Sequence, residues 1–139
     1  MTGISNIRRY YKYLMTIKIK RIYENPETKD GVRILVDRLW PRGLRKEDAS
    51  LDYWFKEIAP SDKLRIDFHS GRIDFKGFEN MYKKELRDYD KKSPAGENEI
   101  LKIMEIIKKN DVSLLFGLKN LFENNASVLK NYIESKKGD

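Results

Sequence analysis

The sequence predicts an α/β fold, with a small, mostly parallel sheet of about three strands and helices packed against it in a single compact domain. Three short apolar runs, at residues 15–22, 32–39 and 112–116, have the length and composition of strands. Between and after them, apolar residues recur three and four positions apart, as in amphipathic helices. A chain of 139 residues is long enough for one core of this kind.

The first fourteen residues are expected to be a basic, disordered extension, and residues 15–139 to be the folded domain. The segment 1–14 has no periodicity and contains several residues that favour irregular structure. The whole chain has a net charge of +7, and six of its cations precede the first acid, Glu24. Such an arm suits nucleic acid or an acidic protein partner, and a solvated extension with no partner is the simpler interpretation.

The first two strands are separated by a short linker. Isoleucines alternate with lysines from Met15 onward, which predicts a half-exposed strand. The pairs Asn25-Pro26 and Asp30-Gly31 then break the chain before the second strand at residues 32–39. A linker of this length favours an antiparallel pair, because a parallel crossover usually needs a dozen or more residues. A parallel arrangement stays open.

The chain beyond Gly43 is mainly helical in pattern. A helix capped by Ser50 is predicted, with apolar residues at positions 51, 54, 55 and 58, and Pro60 should end it. Ser61 is expected to cap a second, short helix. The longest amphipathic helix is predicted from Phe75 to Tyr89.

The last third of the chain predicts a helix, a strand and a helix. Ser93-Pro94 can start a helix whose wide apolar face covers residues 100–107. Residues 112–116 read as a fully buried strand, and 117–125 as its exit loop. A final amphipathic helix carries apolar residues from Val128 to Ile133.

Composition excludes several classes of function. The absence of cysteine rules out disulfides, thiol catalysis and cysteine-ligated zinc, and fits a cytoplasmic protein. No apolar run is long enough for a membrane span, so no membrane partner is expected. A lone histidine cannot build a zinc site, so we expect no metal. The chain also lacks a P-loop and a GxGxxG motif.

The first cluster that could carry chemistry surrounds the Trp40-Pro41 corner, where the second apolar run ends in charged residues. Asp37, Arg38 and Arg42 lie here, at the kind of strand end where α/β proteins place their sites. A rigid corner can hold a guanidinium for a carboxylate or phosphate, which arginine grips with two parallel hydrogen bonds. A purely structural ion pair at the strand end is the simpler alternative.

The second cluster follows the corner along the chain. Ser61, Arg65 and His69 are spaced four residues apart and can share one side of a short helix, with Lys56 just before it. His69 is the only side chain with an ordinary pKa near neutrality, which suits proton transfer or a phosphate contact. Helix capping explains Ser61 and His69 equally well.

Two further clusters lie later in the chain. Tyr82 and Glu85 share the long helix, where they could meet a ligand or an arginine, or simply lie at the edge of the core. Lys119, Asn120 and Asn124 lie between the last strand and the last helix. Free backbone N–H groups at a helix start attract anions, although asparagines there are caps first.

Several sequence blocks resemble the YeaO-like (DUF488) family, a domain of unknown function. They are GVRILVDRLWPRGL, APSDKLR, FENMYKKEL, LLFGLKN and ENNASVL, and the resemblance runs from about residue 20 to residue 133. It implies a compact α/β fold with no settled activity, cofactor or catalytic residue. The many polar motif positions imply a shared polar pocket. The family often has a histidine beside the late asparagine, and its absence here argues against a mechanism that needs two histidines.

Two functions follow as hypotheses, and the sequence leaves open whether either is enzymatic and which cofactor, if any, is used. The first is a pocket for an anionic, phosphate- or carboxylate-bearing small molecule. The second is a non-catalytic accessory module that binds nucleic acid or a protein through the basic arm. For the first, the candidate catalytic residues are Asp37, His69 and Glu85, and the candidate ligand-binding residues are Arg38, Arg42, Lys56, Ser61, Arg65, Tyr82, Lys119, Asn120 and Asn124.

Overall fold

The computed structural model describes residues 16–137, so the basic extension predicted at 1–14 lies outside the described residues. Four strands form a single sheet: β1 (Ile17–Arg21), β2 (Val32–Leu35), β3 (Tyr53–Trp54) and β4 (Val112–Phe116). Their order in space is β1-β4-β2-β3, and all three pairings are parallel. The predicted α/β class and parallel sheet are confirmed, with four strands instead of about three.

Five α-helices and one 3₁₀ turn complete the described fold. The helices are α1 (Lys46–Ala49), α2 (Asp62–His69), α3 (Phe75–Lys92), α4 (Glu99–Ile106) and α5 (Asn125–Lys137), and the 3₁₀ turn is Thr28–Asp30. None of the helices within residues 16–137 combines the length and apolar character needed to cross a membrane.

β4 is the central strand, and its two faces pack into different cores. All five of its residues are buried. Val112, Leu114 and Phe116 face the larger core, which α2 to α5 cover, whereas Leu115 packs into a smaller core on the other face. This division follows from the alternation of side chains along a strand. A strand buried on both faces is mostly apolar, and residues 112–116 are apolar except for Ser113.

The expected antiparallel pairing of the first two strands is wrong. β1 and β2 each pair with β4, which lies between them. The linker 22–31 returns across the smaller-core face of β4, where the Ser113 hydroxyl donates to the Asp30 carbonyl at 2.7 Å. Ten residues can extend about 33 Å, and a five-residue strand rises only about 17 Å. A linker of this length is therefore long enough for a parallel connection.

The helix predicted from Ser50 to residue 58 is also wrong. α1 ends before Ser50, whose φ of 49° breaks the helix, and the chain then becomes the edge strand β3. The N–H of Phe55 donates to the Leu35 carbonyl at 2.9 Å. Trp54 packs against the smaller core and Phe55 enters the larger one, so residues with helical spacing lie on opposite faces. Backbone pairing with the open edge of β2 therefore outweighs the helical spacing and makes residues 53–54 a strand.

Two element boundaries differ from the prediction. β2 ends at Leu35. The Val36 N–H still donates to the Leu115 carbonyl, but beyond it the backbone no longer pairs with the neighbouring strand and its hydrogen bonds involve side chains. α4 begins at Glu99 and not near Pro94. The Asn98 side chain caps it by accepting hydrogen bonds from the N–H groups of Ile100 and Leu101. The cap predicted at Ser61 is present, with its hydroxyl accepting from the Leu64 N–H at 3.2 Å.

Candidate functional site

A cavity of about 250 Å³ lies beyond the carboxyl ends of β2 and β4, the two central strands. Loops that follow the strands of a parallel sheet meet at this edge, which is where such folds place their ligands. The polar residues lining the cavity are Asp37, Arg38, Arg42, Arg65, His69 and Asn125. The apolar ones include Trp40, Phe68, Phe78 and Leu118. Five of the twelve predicted site residues therefore meet in one place.

Asp37 is fixed between the two strand ends. Its Oδ2 accepts a hydrogen bond from the Gly117 N–H at 2.8 Å, and its Oδ1 accepts one from the Asn125 side-chain amide at 3.0 Å. The same amide donates to the Val36 carbonyl at 3.0 Å. A Cβ at Gly117 would lie only 3.1 Å from Asp37 Oδ2, so glycine allows this close approach.

The surroundings of Asp37 make its carboxyl easier to protonate than usual. Burial raises its pKa above the ordinary value. The hydrogen bonds from Asn125 and Gly117 and the nearby charge of His69 act in the opposite direction without cancelling the effect of burial. Asp37 is therefore a well-placed acceptor whose charge the protein only partly compensates.

Arg65 provides the site's unsatisfied donor. Within residues 16–137, its Nε is the one buried side-chain polar atom that has no hydrogen-bond partner. The outer end of the guanidinium makes a long contact of 3.4 Å from Nη2 to Asp62 Oδ1, and the side chain is one-third exposed. A buried donor without an acceptor is costly, so each such atom in a folded protein calls for an explanation.

Arg42 and His69 form the open rim of the cavity, and both are exposed. The backbone under Arg42 is held by Tyr23, whose hydroxyl donates to the Arg42 carbonyl at 2.8 Å. Arg21 supports the same rim, with its guanidinium 4.9 Å from the Tyr23 ring and its Nε donating to the Leu118 carbonyl. No hydrogen bond or ion pair engages the Arg42 guanidinium or the His69 imidazole among the described residues, so both are available to a ligand.

Arg38 also lines the cavity, but its Nε and Nη2 groups are engaged by the backbone. Nη2 donates to the Ala59 carbonyl at 2.9 Å and Nε to the Pro60 carbonyl at 3.2 Å. Arg38 thus binds the backbone of residues 58–61, a segment that we call the wall loop because Pro60 lines the cavity. Its charge still contributes to the field in the cavity.

Two other predicted site residues, Tyr82 and Glu85, hold the wall loop from α3, and a third, Ser61, belongs to the loop. Both carboxylate oxygens of Glu85 are used by Ser61, one by its N–H at 2.9 Å and one by its hydroxyl at 2.6 Å. The Tyr82 hydroxyl donates to the Ile58 carbonyl at 2.6 Å. Burial raises the pKa of Tyr82 well above its ordinary value, so this donor keeps its proton. Ser61, Tyr82 and Glu85 do not line the main cavity.

Lys56, Lys119 and the predicted asparagines lie elsewhere. The Lys56 ammonium lies 4.7 Å from the Trp54 ring centre, and Lys119 is exposed. Asn120 accepts hydrogen bonds from two backbone N–H groups in its own loop. Asn124, fully buried, accepts from the Ser127 N–H at 2.8 Å and so caps α5.

Asn125 lines the cavity, although it was not among the residues predicted to bind a ligand. Its neighbour Asn124 is the helix cap, and only one residue can occupy that position. The doublet Asn124-Asn125 was the available signal, because the second asparagine must use its amide for something other than capping. In the structure that amide holds Asp37. No three His, Cys, Asp or Glu side chains gather as a metal site would require in the part of the chain that is described.

Comparison with known proteins places this fold in a defined group. The sequence model of the "Inactive DUF488-N3 subclade" matches residues 16–138. "Uncharacterized protein YeaO" of Escherichia coli strain K12 is 43% identical over 121 residues, which cover 87% of this chain and 99% of that protein. "Uncharacterized protein Rv3073c" of Mycobacterium tuberculosis strain H37Rv is 42% identical over 72 residues, covering 52% of this chain and 61% of its own. No solved structure matches.

Proposed function

The chain belongs to the inactive DUF488-N3 subclade of the YeaO-like family, and from that premise we propose that it binds a small organic anion in the cavity without converting it. The anion carries a carboxylate or phosphate group. The observation that carries the proposal is the poorly satisfied guanidinium of Arg65 in the cavity lining. Within residues 16–137 its Nε has no partner, its Nη2 makes a long contact of 3.4 Å with Asp62 Oδ1, and the side chain is one-third exposed. An acid group at the exposed edge of this guanidinium would form charge-assisted hydrogen bonds with it.

The charges around the cavity support an anion. Arg38, Arg42 and Arg65 contribute three guanidinium groups, and Asp37 is the one carboxylate among the residues that line it. Arginine is the residue best suited to bind carboxylate or phosphate, because its planar fork matches two oxygens at once. Because Arg38 is engaged with the wall loop, Arg65 and Arg42 are the groups we expect to touch the ligand.

The arrangement of the candidate catalytic groups supports binding without turnover. Glu85 uses both carboxylate oxygens on Ser61, outside the cavity. The carboxylate of Asp37 is held on both oxygens, and His69 is exposed without a hydrogen-bonded group to orient it among residues 16–137. Acid–base catalysis usually needs a base that is oriented by a third group. The description of the family as inactive agrees with this.

Replacing Arg65 tests the proposal. In wild-type protein, titration with benzoate and with phenyl phosphate should shift the NMR resonance of the Arg65 Nε–H group and the backbone amides of Gly117 and Asn125. Arg65→Gln should weaken the binding of both anions by tenfold or more, because one charge-assisted hydrogen bond is worth about 1.5–3 kcal/mol. Affinity is measured by calorimetry or from the same titration.

Arg72→Gln is the matched control. Arg72 follows α2 closely, its side chain is 71% exposed, and it does not line the cavity, yet the variant loses the same charge. Its affinity should stay within twofold of wild type. Equal losses in both variants would show unspecific attraction to a basic protein and would contradict the assignment of anion binding to the cavity.

The alternative function gains no support from the described residues. Binding of nucleic acid or a protein through the basic arm depends on residues 1–14, outside the region that the structure covers. We therefore keep the cavity as the proposed site of action.

A further inference from the structure

The cavity contains a free acceptor as well as free cations. The carboxylate of Asp37 has about four lone-pair positions, and the hydrogen bonds from Gly117 and Asn125 occupy two of them. Asp37 itself lines the cavity and is only partly buried. An anion placed on Arg65 therefore shares the cavity with a carboxylate that still accepts hydrogen bonds.

A simple anion is a poor match for this arrangement. The pKa of Asp37 is raised chiefly by burial, so its charge is already imperfectly compensated, and a second negative group nearby adds repulsion. A hydroxyl or amino group on the same ligand changes the sign of this interaction, because it donates to Asp37. Ligands with such a donor are favoured over ligands without it, because the donor gives the carboxylate a further hydrogen bond in place of charge repulsion.

The apolar residues that line the cavity include three aromatic side chains, Trp40, Phe68 and Phe78, together with Leu39, Pro41, Pro60 and Leu118. Phe68 stacks on Phe78 with centroids 4.4 Å apart, and both line the cavity. Trp40, which also lines the cavity, meets Trp54 edge to face with ring centroids 5.4 Å apart. Aromatic surfaces of this kind favour a flat ligand body over an aliphatic one. A volume of about 250 Å³ lies below the range of about 300–1,000 Å³ typical of drug-sized ligands, which leaves room for a single ring.

We propose that the natural ligand is a single-ring aromatic acid that also carries a hydroxyl or amino group. Its acid group binds Arg65, its ring contacts Phe68 and Trp40, and its donor reaches Asp37. This inference rests on the proposed anion-binding function and specifies the ligand class for that site.

Matched ligands test the inference in the unmodified protein. Benzoate, its 2-, 3- and 4-hydroxy derivatives and the three corresponding methoxybenzoates are compared by calorimetry at neutral pH. One hydroxy isomer should bind at least tenfold tighter than benzoate and than its own methoxy partner, which has similar size and no donor. Equal affinities throughout the series would overturn the inference and leave the anion pocket standing, whereas no binding by any member would reject both.

A variant pair assigns the effect to Asp37. Asp37→Asn should remove the preference for the hydroxyl group, while Asp88→Asn, at an exposed position of α3 outside the cavity lining, should keep it. An asparagine at position 37 places an amide donor against Gly117 or Asn125, so circular dichroism must first show that this variant folds. If it does not, the chemical shift of the Asp37 carboxyl carbon in wild-type protein is the readout. That shift should change more with the hydroxy ligand than with its methoxy partner, and equal changes would contradict the assignment.

Discussion

Asp30→Asn is expected to lower the free energy of unfolding by about 3–5 kcal/mol, because it breaks a buried ion pair from one side. Asp30 is 2% exposed and Arg33 is 4% exposed. Asp30 Oδ2 lies 2.6 Å from Arg33 Nη1, and its Oδ1 lies 2.9 Å from Lys20 Nζ. Neutralising the carboxylate leaves the Arg33 charge buried without its partner, which costs more than the pair itself contributes.

The expected loss is large because the pair joins three parts of the chain. Arg33 also donates from Nε to the Ser50 carbonyl at 3.0 Å and from Nη2 to the Ala49 carbonyl at 2.8 Å. Asp30 in turn accepts from the Glu27 N–H at 2.9 Å. The linker 22–31, β2 and the end of α1 are therefore held by one network on the smaller-core face of the sheet.

Urea unfolding followed by circular dichroism measures the effect, and Asp48→Asn is the control. Asp48 pairs with Arg45 at 3.0 Å with the same three-residue spacing, but the two side chains are 54% and 76% exposed. An exposed pair of this type is worth about 0–1 kcal/mol, so the control should be nearly neutral. Similar losses in the two variants would show that burial of the Asp30–Arg33 pair adds nothing.

The same network predicts a pH dependence. Burial alone raises the pKa of Asp30, but the hydrogen bonds from Glu27, Lys20 and Arg33 together outweigh it, so the folded-state pKa lies below its ordinary value of 3.8. A carboxyl with a lowered folded pKa contributes stability that is present above its unfolded pKa and lost as pH falls through the folded pKa. The stability difference between wild type and Asp30→Asn should therefore be constant near neutrality and shrink below about pH 4. A constant difference down to pH 2 would contradict this.

Local patterns predicted those parts of the fold that local interactions decide. The mostly apolar run at 112–116 identified the central strand, and the spacing from Phe75 to Tyr89 identified α3. Residues 53–54 lie in a segment with helical spacing, yet they form a strand, because their backbone pairs with the open edge of β2. That edge exists only once the sheet has formed, so no local pattern indicates it.

The candidate site was predicted to a similar extent and for related reasons. Asp37 and Arg42 could be predicted because they lie at the end of a strand. Arg65 and His69 could be predicted from the helix that packs beside it. Ser61, Tyr82 and Glu85 have the residue types of a ligand site, but a buried backbone segment such as the wall loop needs the same donors and acceptors. Sequence alone does not distinguish the two uses of a polar side chain.

Gly31→Ala is expected to be the other strongly destabilising change, with a loss of more than about 3 kcal/mol. Gly31 has a φ of 67° and a ψ of −139°, a conformation that costs other residues about 1–3 kcal/mol. The added Cβ would also lie only 2.1 Å from the carbonyl oxygen of Asp111. That oxygen accepts the Val32 N–H hydrogen bond at 2.8 Å, so relieving the clash separates β2 from β4 where their pairing begins.

Gly96→Ala is the matched control for this prediction, because a Cβ at Gly96 meets nothing within 4 Å and its φ is not in the left-handed range. Both variants reduce the freedom of the unfolded chain equally, so their difference isolates the strain and the clash in the folded state. In urea unfolding, Gly96→Ala should stay within about 0.5–1 kcal/mol of wild type, while Gly31→Ala should unfold at much lower urea concentration. Equal midpoints for the two variants would show that the start of β2 can move away from Asp111 at little cost, which contradicts the tight packing of the sheet's central pair.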